Sequence, residues 1–193
     1  MNRVDFRPLS AAIVYEAAVK LGDMEPSIRS IISGLPLRGY AFTAKCLVGD
    51  SRAALRAIEH AQPGDVLVID AGGTDRATVW GGRSTIAAKA RMLAGLVTNG
   101  AVRDVDQIAS LGFPIFAHGI SVRGTMRTHD GWLQIPVSVG GVVVQPGDYI
   151  VADSDGVVVV PSARVGEVMA LATSRDAQER EKERQAAEGG RLF

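Results

Sequence analysis

Arg103 and Asp104 stand side by side at the end of the apolar run Leu96-Val97-Thr98-Asn99-Gly100-Ala101-Val102. A buried strand does not carry charges along its middle, because an unpaired buried charge is costly, so the pair belongs at a strand mouth. There a carboxylate can hold a hard divalent cation through oxygen, and a guanidinium can grip a substrate carboxylate through two parallel hydrogen bonds. The dipeptide also reads as a plain ion pair, and Asp104, just ahead of a helix expected from Val105, as an N-cap. One carboxylate makes a sparse metal site. Magnesium accepts such a site because it keeps several waters.

Upstream, Gly81-Gly82-Arg83-Ser84-Thr85 reads as a loop feeding a helix from Thr85 to about Leu93. Glycines let a ligand approach the backbone, and the N–H groups of Arg83 and Ser84 are placed to receive a carboxylate. The plainer reading is a glycine turn with Ser84 as the cap. The other chemistry-bearing residues are scattered. His60, His118 and His129 show no zinc-type spacing with one another or with Cys46, although His118 follows a strand and is a weaker site candidate. No phosphate-binding or nucleophile-elbow motif occurs. Asp153-Ser154-Asp155-Gly156 has the look of a calcium run but lacks the rest of such a loop, so a β-turn is expected. Cys46, in Ala44-Lys45-Cys46-Leu47-Val48, reads as a small buried apolar residue.

The elements that must position these residues follow from periodicity. Apolar spacing predicts helices over Leu9–Leu21, with Gly22 as the stop, and over 52–61, 85–93 and 105–111. Strands are expected at Tyr40–Val48, 66–70, 95–102 and 114–117, after a short mixed segment at Ser27–Ile32. That β-α-β-α-β succession argues for a parallel layer with helices against it. Beyond it the chain turns mainly β: Ile135–Val139, Val142–Val144, Tyr149–Asp153 and Gly156–Val160. Pro63-Gly64-Asp65 and Pro146-Gly147-Asp148 each precede an apolar strand, the same turn chemistry used twice. A sheet-on-sheet body with helices on one face is expected. It is followed by a tail helix from Val165 to Glu188 whose dense alternating charge marks a solvated face or a reach to a neighbouring subunit.

The chain has 193 residues, 47% of them hydrophobic, enough for one core. Twenty-one basic residues balance 21 acidic ones, which removes the usual electrostatic footprint of a nucleic-acid binder. No apolar stretch is long enough to cross a membrane, no leader opens the chain, and a lone cysteine forms no internal disulfide, so a cytoplasmic protein is expected.

Several segments together carry a resemblance: Val14-Tyr15-Glu16-Ala17, Pro63-Gly64-Asp65, Trp80-Gly81-Gly82, Gly100-Ala101-Val102-Arg103-Asp104, Pro146-Gly147-Asp148 and Ala152-Asp153-Ser154-Asp155-Gly156-Val157. In order and spacing, over nearly the whole chain, they resemble one family. It contains the class II pyruvate aldolases for 4-hydroxy-4-methyl-2-oxoglutarate and 4-carboxy-4-hydroxy-2-oxoadipate, and also the non-catalytic regulator of ribonuclease E activity. The resemblance implies an α/β fold, a layered β/β/α swivelling-type domain over 1–164. It implies a charged C-terminal helix, 165–193, packing on a neighbouring subunit of a homotrimer or hexamer.

By the same resemblance, Asp104 would hold Mg²⁺ or Mn²⁺ and Arg103 would pair with the carboxylate and oxo oxygen of a 2-oxo acid. Gly82, Arg83 and Ser84 would complete the carboxylate grip. Glu16, Arg127 and Glu179 fall where such enzymes bring in acidic and basic groups from a neighbour. The family signature is an Asp, twenty residues, then Arg-Asp. Arg103-Asp104 matches its end, but its first position here is Gly82, which carries no carboxylate. The implied activity is metal-dependent aldol cleavage or oxaloacetate-type decarboxylation. The alternatives are a regulator that binds a ribonuclease or other protein, and another metal-enolate reaction such as isomerisation or hydration.

Overall fold

The computed structural model describes residues 9–74 and 77–189. Residues 1–8, read above for a leader, and residues 190–193 of the expected tail lie outside them. The chain opens with α1 (Ala11–Ala17), capped by Ser10, whose Oγ accepts from the Ile13 amide at 3.2 Å. The Asp153 carboxylate accepts from the Ala11 amide at 2.8 Å. This helix stops four residues short of the expected Leu21. Val19 and Lys20 both adopt positive φ, and two successive left-handed residues cannot continue a right-handed helix. Leu21, expected on the packed face, is 61% exposed.

Strands and helices then follow in the order β1 (Arg29–Ser30), β2 (Leu37–Lys45), α2 (Arg52–His60), β3 (Asp65–Asp70), β4 (Thr78–Trp80), α3 (Gly82–Ala90), β5 (Gly95–Val102), α4 (Val105–Leu111) and β6 (Ile115–Ile120). Next come β7 (Trp132–Leu133), the hairpin β8 (Val137–Val139) and β9 (Val142–Val144), then β10 (Tyr149–Asp153), β11 (Gly156–Val160) and α5 (Val165–Ala187). β2, β3, β5 and β6 are parallel, as the β-α-β-α-β reading requires. The whole sheet has nine strands in the order β1-β6-β5-β3-β2-β10-β11, with β4 on β5 and β7 on β2. The segment before β1 bonds back to β11, through Met24 N–H to the Val157 carbonyl and Val159 N–H to the Gly22 carbonyl. The sheet is therefore nearly a closed barrel.

Period-two alternation sorts the side chains. Val66 and Val68 of β3, Ile150 and Ala152 of β10, and Val157 and Val159 of β11 point inward, where the β8–β9 hairpin fills the barrel. Leu67 and Ile69 of the same β3 point outward against the layer that holds Ala53, Ala54, Ala57 and Ala88 of α2 and α3. Val158 and Val160 point outward against α1 and the first turns of α5, where Val165, Val168, Met169 and Ala172 are buried. Helices on one face of a layered sheet is the architecture expected, although the second β layer is one short hairpin. Past Ala172 the tail helix carries Arg175–Glu179, Arg180–Asp176 and Arg184–Glu181 pairs along an exposed surface. Asp153 to Gly156 forms the β10–β11 turn, and Asp153 is committed to α1, so the run has no calcium-loop geometry. No helix among the described residues is long and apolar enough to cross a membrane.

Candidate active site at the strand mouths

The parallel strands end together at one rim, the usual ligand-binding edge of such sheets. Arg103 follows β5 there, and its amide donates to the Trp80 carbonyl at 3.1 Å, which ties the β5 end to the β4 end. Trp80 is itself anchored. It stacks on Phe113 with ring centroids 6.2 Å apart, and its Nε1 donates to the buried Thr85 Oγ1 at 2.9 Å. That bond holds the β4–α3 turn in place.

Asp104 lies at φ 60°, ψ 39°, a left-handed backbone that a non-glycine residue adopts at a cost of about 1–2 kcal/mol. It occupies the cap position of α4 but makes no side-chain cap. Its Oδ2 instead accepts from the Gly82 amide at 3.0 Å, across at the start of α3. Its other carboxylate oxygen takes no hydrogen bond among the described residues. Arg103 Nε sits 3.8 Å from Asp104 Oδ2, with the two side chains 37% and 45% exposed. So loose an exposed pair contributes little, and it leaves the guanidinium free to reach across toward Gly124.

Helix α3 begins at Gly82, three residues before the expected Thr85, and its cap is Gly81 rather than Ser84. The amides of Arg83 and Ser84 are therefore first-turn donors, and neither has an acceptor among the described residues. The Gly82 backbone is not left-handed; what it needs is space. An added Cβ there would fall 1.7 Å from Gln107 Oε1, and one on Gly81 would fall 2.7 Å from Asp104 Oδ2.

Between these groups lies a cleft of about 220 Å³, lined by Arg83, Ser84, Arg103, Asp104, Thr125 and Arg127 among others. It is smaller than the roughly 300–1,000 Å³ typical of drug-sized pockets and suits a small acid. Its lining carries three guanidiniums and one carboxylate. A larger cavity, about 610 Å³, lies beside α1 and the β10–β11 turn. That cavity scatters Asp23, Arg29 and Asp155 over a largely apolar wall without converging donors, so the smaller cleft is the candidate site.

The far wall is the loop after β6. The Thr125 hydroxyl donates to Ser51 Oγ at 2.9 Å, and the Met126 and Ser51 amides bond across to Gly49 and Met126 carbonyls. Asp50, 3% exposed, anchors the loop beside Arg127. It accepts from the Thr128 amide at 2.8 Å, the Thr128 hydroxyl at 3.0 Å, the His129 amide at 3.1 Å and the Arg52 amide at 2.8 Å. Burial pulls its pKa upward, but these bonds outweigh it and hold the carboxyl at about 2. At Cys46 burial prevails and raises the thiol pKa to about 11.

The fold thus brings Arg83, Ser84, Arg103, Asp104 and Arg127 to one cleft, with Gly82 directly behind it. Glu16 and Glu179 do not line it. Both face Arg175, at 3.7 Å and 2.8 Å, on the α1–α5 surface. His118 is exposed on β6, and His129 serves the loop through its amide. The sequence reading missed Asp50, Ser51, Thr78 and Thr125, all polar residues of loops or strand ends. It also missed Gln107, whose D-x-x-Q spacing from Asp104 was an available signal. No group of three or more potential metal ligands occurs among the described residues. An ion at Asp104 would therefore be water-rich, and the uncommitted carboxylate oxygen fits that role.

Comparisons with known proteins bear on the family and the fold. The RraA-like profile, Aldolase/RraA, matches residues 11–159. A provisionally named 4-hydroxy-4-methyl-2-oxoglutarate aldolase of Halalkalibacterium halodurans is 35% identical over 179 residues, which cover 93% of this chain and 85% of that protein. An uncharacterised protein of Pseudomonas syringae superposes with a TM-score of 0.84 at 28% identity, covering 95% of this chain and 90% of that one. Streptomyces coelicolor RraAS2, described as an unusual member of the RNase ES inhibitor RraA protein family, superposes at 0.81 with 29% identity, covering 91% of each chain. The profile match over most of the chain, the 35%-identical relative and the shared fold lead to one conclusion: this chain belongs to the RraA-like Aldolase/RraA family.

Proposed function

We propose that the protein is a divalent-metal-dependent carbon–carbon lyase acting on small 2-oxo acids. The observation that carries the reading is the joint placement of Asp104 and Arg103 with the Arg83 and Ser84 amides of α3, which have no acceptor among the described residues, in one small cleft. The 35%-identical aldolase-named relative supports it. Asp104 would hold Mg²⁺ or Mn²⁺ among waters, and the ion would polarise the substrate's 2-oxo oxygen. The Arg83 and Ser84 amides, at the positive end of the α3 dipole, receive the substrate's 1-carboxylate. Arg103 reaches that carboxylate and the neighbouring oxo oxygen, and Arg127 faces them from the opposite wall. When the C3–C4 bond breaks, C4 leaves either as CO₂ from a 4-carboxylate or, once the 4-hydroxyl has given its proton to a base, as the carbonyl of the second product, and the bonding pair moves into an enolate over C3, C2 and the 2-oxygen. The fixed charge of Arg103 stabilises that anion as it forms. Protonation at C3 releases pyruvate.

The test is a screen of 2-oxo acids for pyruvate release, run with Mg²⁺, with Mn²⁺ and in excess EDTA. Metal-dependent turnover abolished by Asp104→Asn is expected. Full activity in EDTA overturns the reading. A second reading, a regulator that binds a ribonuclease, is favoured by the likeness to RraAS2 and by the absence of an acid at residue 82. Inhibition of a purified ribonuclease, together with no turnover of any 2-oxo acid, would favour it over the first. The assembly proposed is a homotrimer or hexamer in which Glu16 and Glu179 approach a neighbour's cleft.

A further inference from the structure

Gln107 occupies the space that a side chain at residue 82 would fill. Its Oε1, Cδ and Cγ lie 1.7, 2.5 and 3.3 Å from the position of a Cβ on Gly82. Asp104 covers the same glycine from the amide side at 3.0 Å. These two residues are the cap and third positions of α4, spaced as a capping box, yet the Asp104 carboxylate is spent on α3 rather than on its own helix. The first turn of α4 thus lays one carboxylate and one carboxamide over the first turn of α3, beside the cleft. Glycine at 82 is what admits the carboxamide.

We propose that Gln107 is a positioning residue of this site. It supplies from α4 the polar group that residue 82 would otherwise supply from α3, and it supplies one that never takes up a proton at working pH. The inference rests on the function proposed above and narrows its substrate class. A carboxamide just behind the cleft lining can hydrogen-bond an ordered water beside Asp104. It cannot act as the base that removes a hydroxyl proton, a role worth typically 10²–10⁴-fold in rate. Decarboxylation of a 2-oxo acid with a 4-carboxylate needs only stabilisation of the enolate left behind. Retro-aldol cleavage of a 4-hydroxy-2-oxo acid needs the base as well. The chain is therefore tuned to the first substrate class over the second.

The test uses the full chain and three variants, Gln107→Glu, Gln107→Ala and Gly82→Ala, with the double variant of the last two. The readout independent of turnover is Mn²⁺ affinity by water-proton relaxation. Gln107→Glu places a second carboxylate beside Asp104 and should tighten Mn²⁺ roughly tenfold, since affinity follows ligand charge, whereas Gln107→Ala should leave it within about twofold. Thermal melting then tests the shared space: the shifts in Tm from Gly82→Ala and Gln107→Ala should be non-additive, because the added methyl and the carboxamide compete for one volume. In turnover, Gln107→Glu should raise 4-hydroxy-2-oxo acid cleavage at least about tenfold relative to oxaloacetate decarboxylation. It should also add an acidic limb to the pH profile near a carboxylate pKa. Unchanged Mn²⁺ affinity in Gln107→Glu, or strictly additive melting shifts, overturns the role of Gln107. If the wild type turns over no 2-oxo acid while affinity and melting behave as stated, the lyase reading fails and the Gln107 placement stands.

Discussion

Asp50 offers the most quantitative test of how the cleft is held open. It lies outside the cleft, but it fastens Thr128 and His129, the two residues after Arg127, through three hydrogen bonds. These bonds and the one from the Arg52 amide favour the ionised carboxylate, the form that accepts all four. Its pKa falls from the ordinary 3.8 to about 2. A group depressed by folding stabilises the native state above its unfolded pKa and loses that contribution as pH falls through the folded one. The depression corresponds to about 2 kcal/mol, present at pH 7 and lost between about pH 4 and pH 2. Asp50→Asn puts an amide donor among four donors, so it should forfeit at least that much at neutral pH. For a chain of this size the loss lowers Tm by roughly 4–8 °C. Urea unfolding of both proteins at pH 7, 4 and 2.5 checks the sign: the gap between them must narrow as pH falls. A constant gap across that range would show that Asp50 acts by packing rather than by charge, and would refute the reasoning. With the loop released, a rise in KM larger than the fall in kcat is expected for a 2-oxo acid that Arg127 contacts.

Asp104→Asn should cost at least about 10²-fold in metal-dependent turnover but less than about 1 kcal/mol in stability, because asparagine tolerates the left-handed backbone and its oxygen can still accept from Gly82. Circular dichroism melts alongside the activity assay separate the two effects. Trp80→Phe removes the Nε1 bond to Thr85 and part of the stack on Phe113 and should cost roughly 1–3 kcal/mol by denaturant unfolding. Cys46, with its thiol near pKa 11, should resist an aromatic disulfide reagent at pH 7.5 until the protein is unfolded. Light scattering should give a trimer or larger. Truncation before Arg175, which removes Glu179 and the Glu16–Arg175 pair, should weaken assembly or activity, and loss of neither would rule out the proposed reach of the tail.

Much of the architecture was written locally in the chain. The strand over 95–102, its terminal Arg103-Asp104, the helix over 105–111 and the β10–β11 hairpin lie where the apolar runs and turn residues put them, because apolar runs, helical spacing and turn chemistry depend on near neighbours. The family, too, was legible in the order of short segments. Where the sequence reading failed, the deciding contact lay far along the chain. Gly81-Gly82 looked like loop, yet helix α3 starts there because Asp104, 22 residues on, accepts the Gly82 amide. Gly82 suggested a part in the carboxylate grip and a missing acid; the docking of α4 on α3 shows the space of its absent side chain taken by Gln107. Asp50 was one polar residue after a glycine until the fold set it against Thr128, 78 residues away. Periodicity determines which face of an element is buried. Only packing between elements determines which polar groups meet, because hydrogen bonds act over about 3 Å and depend on where the backbones have already been placed.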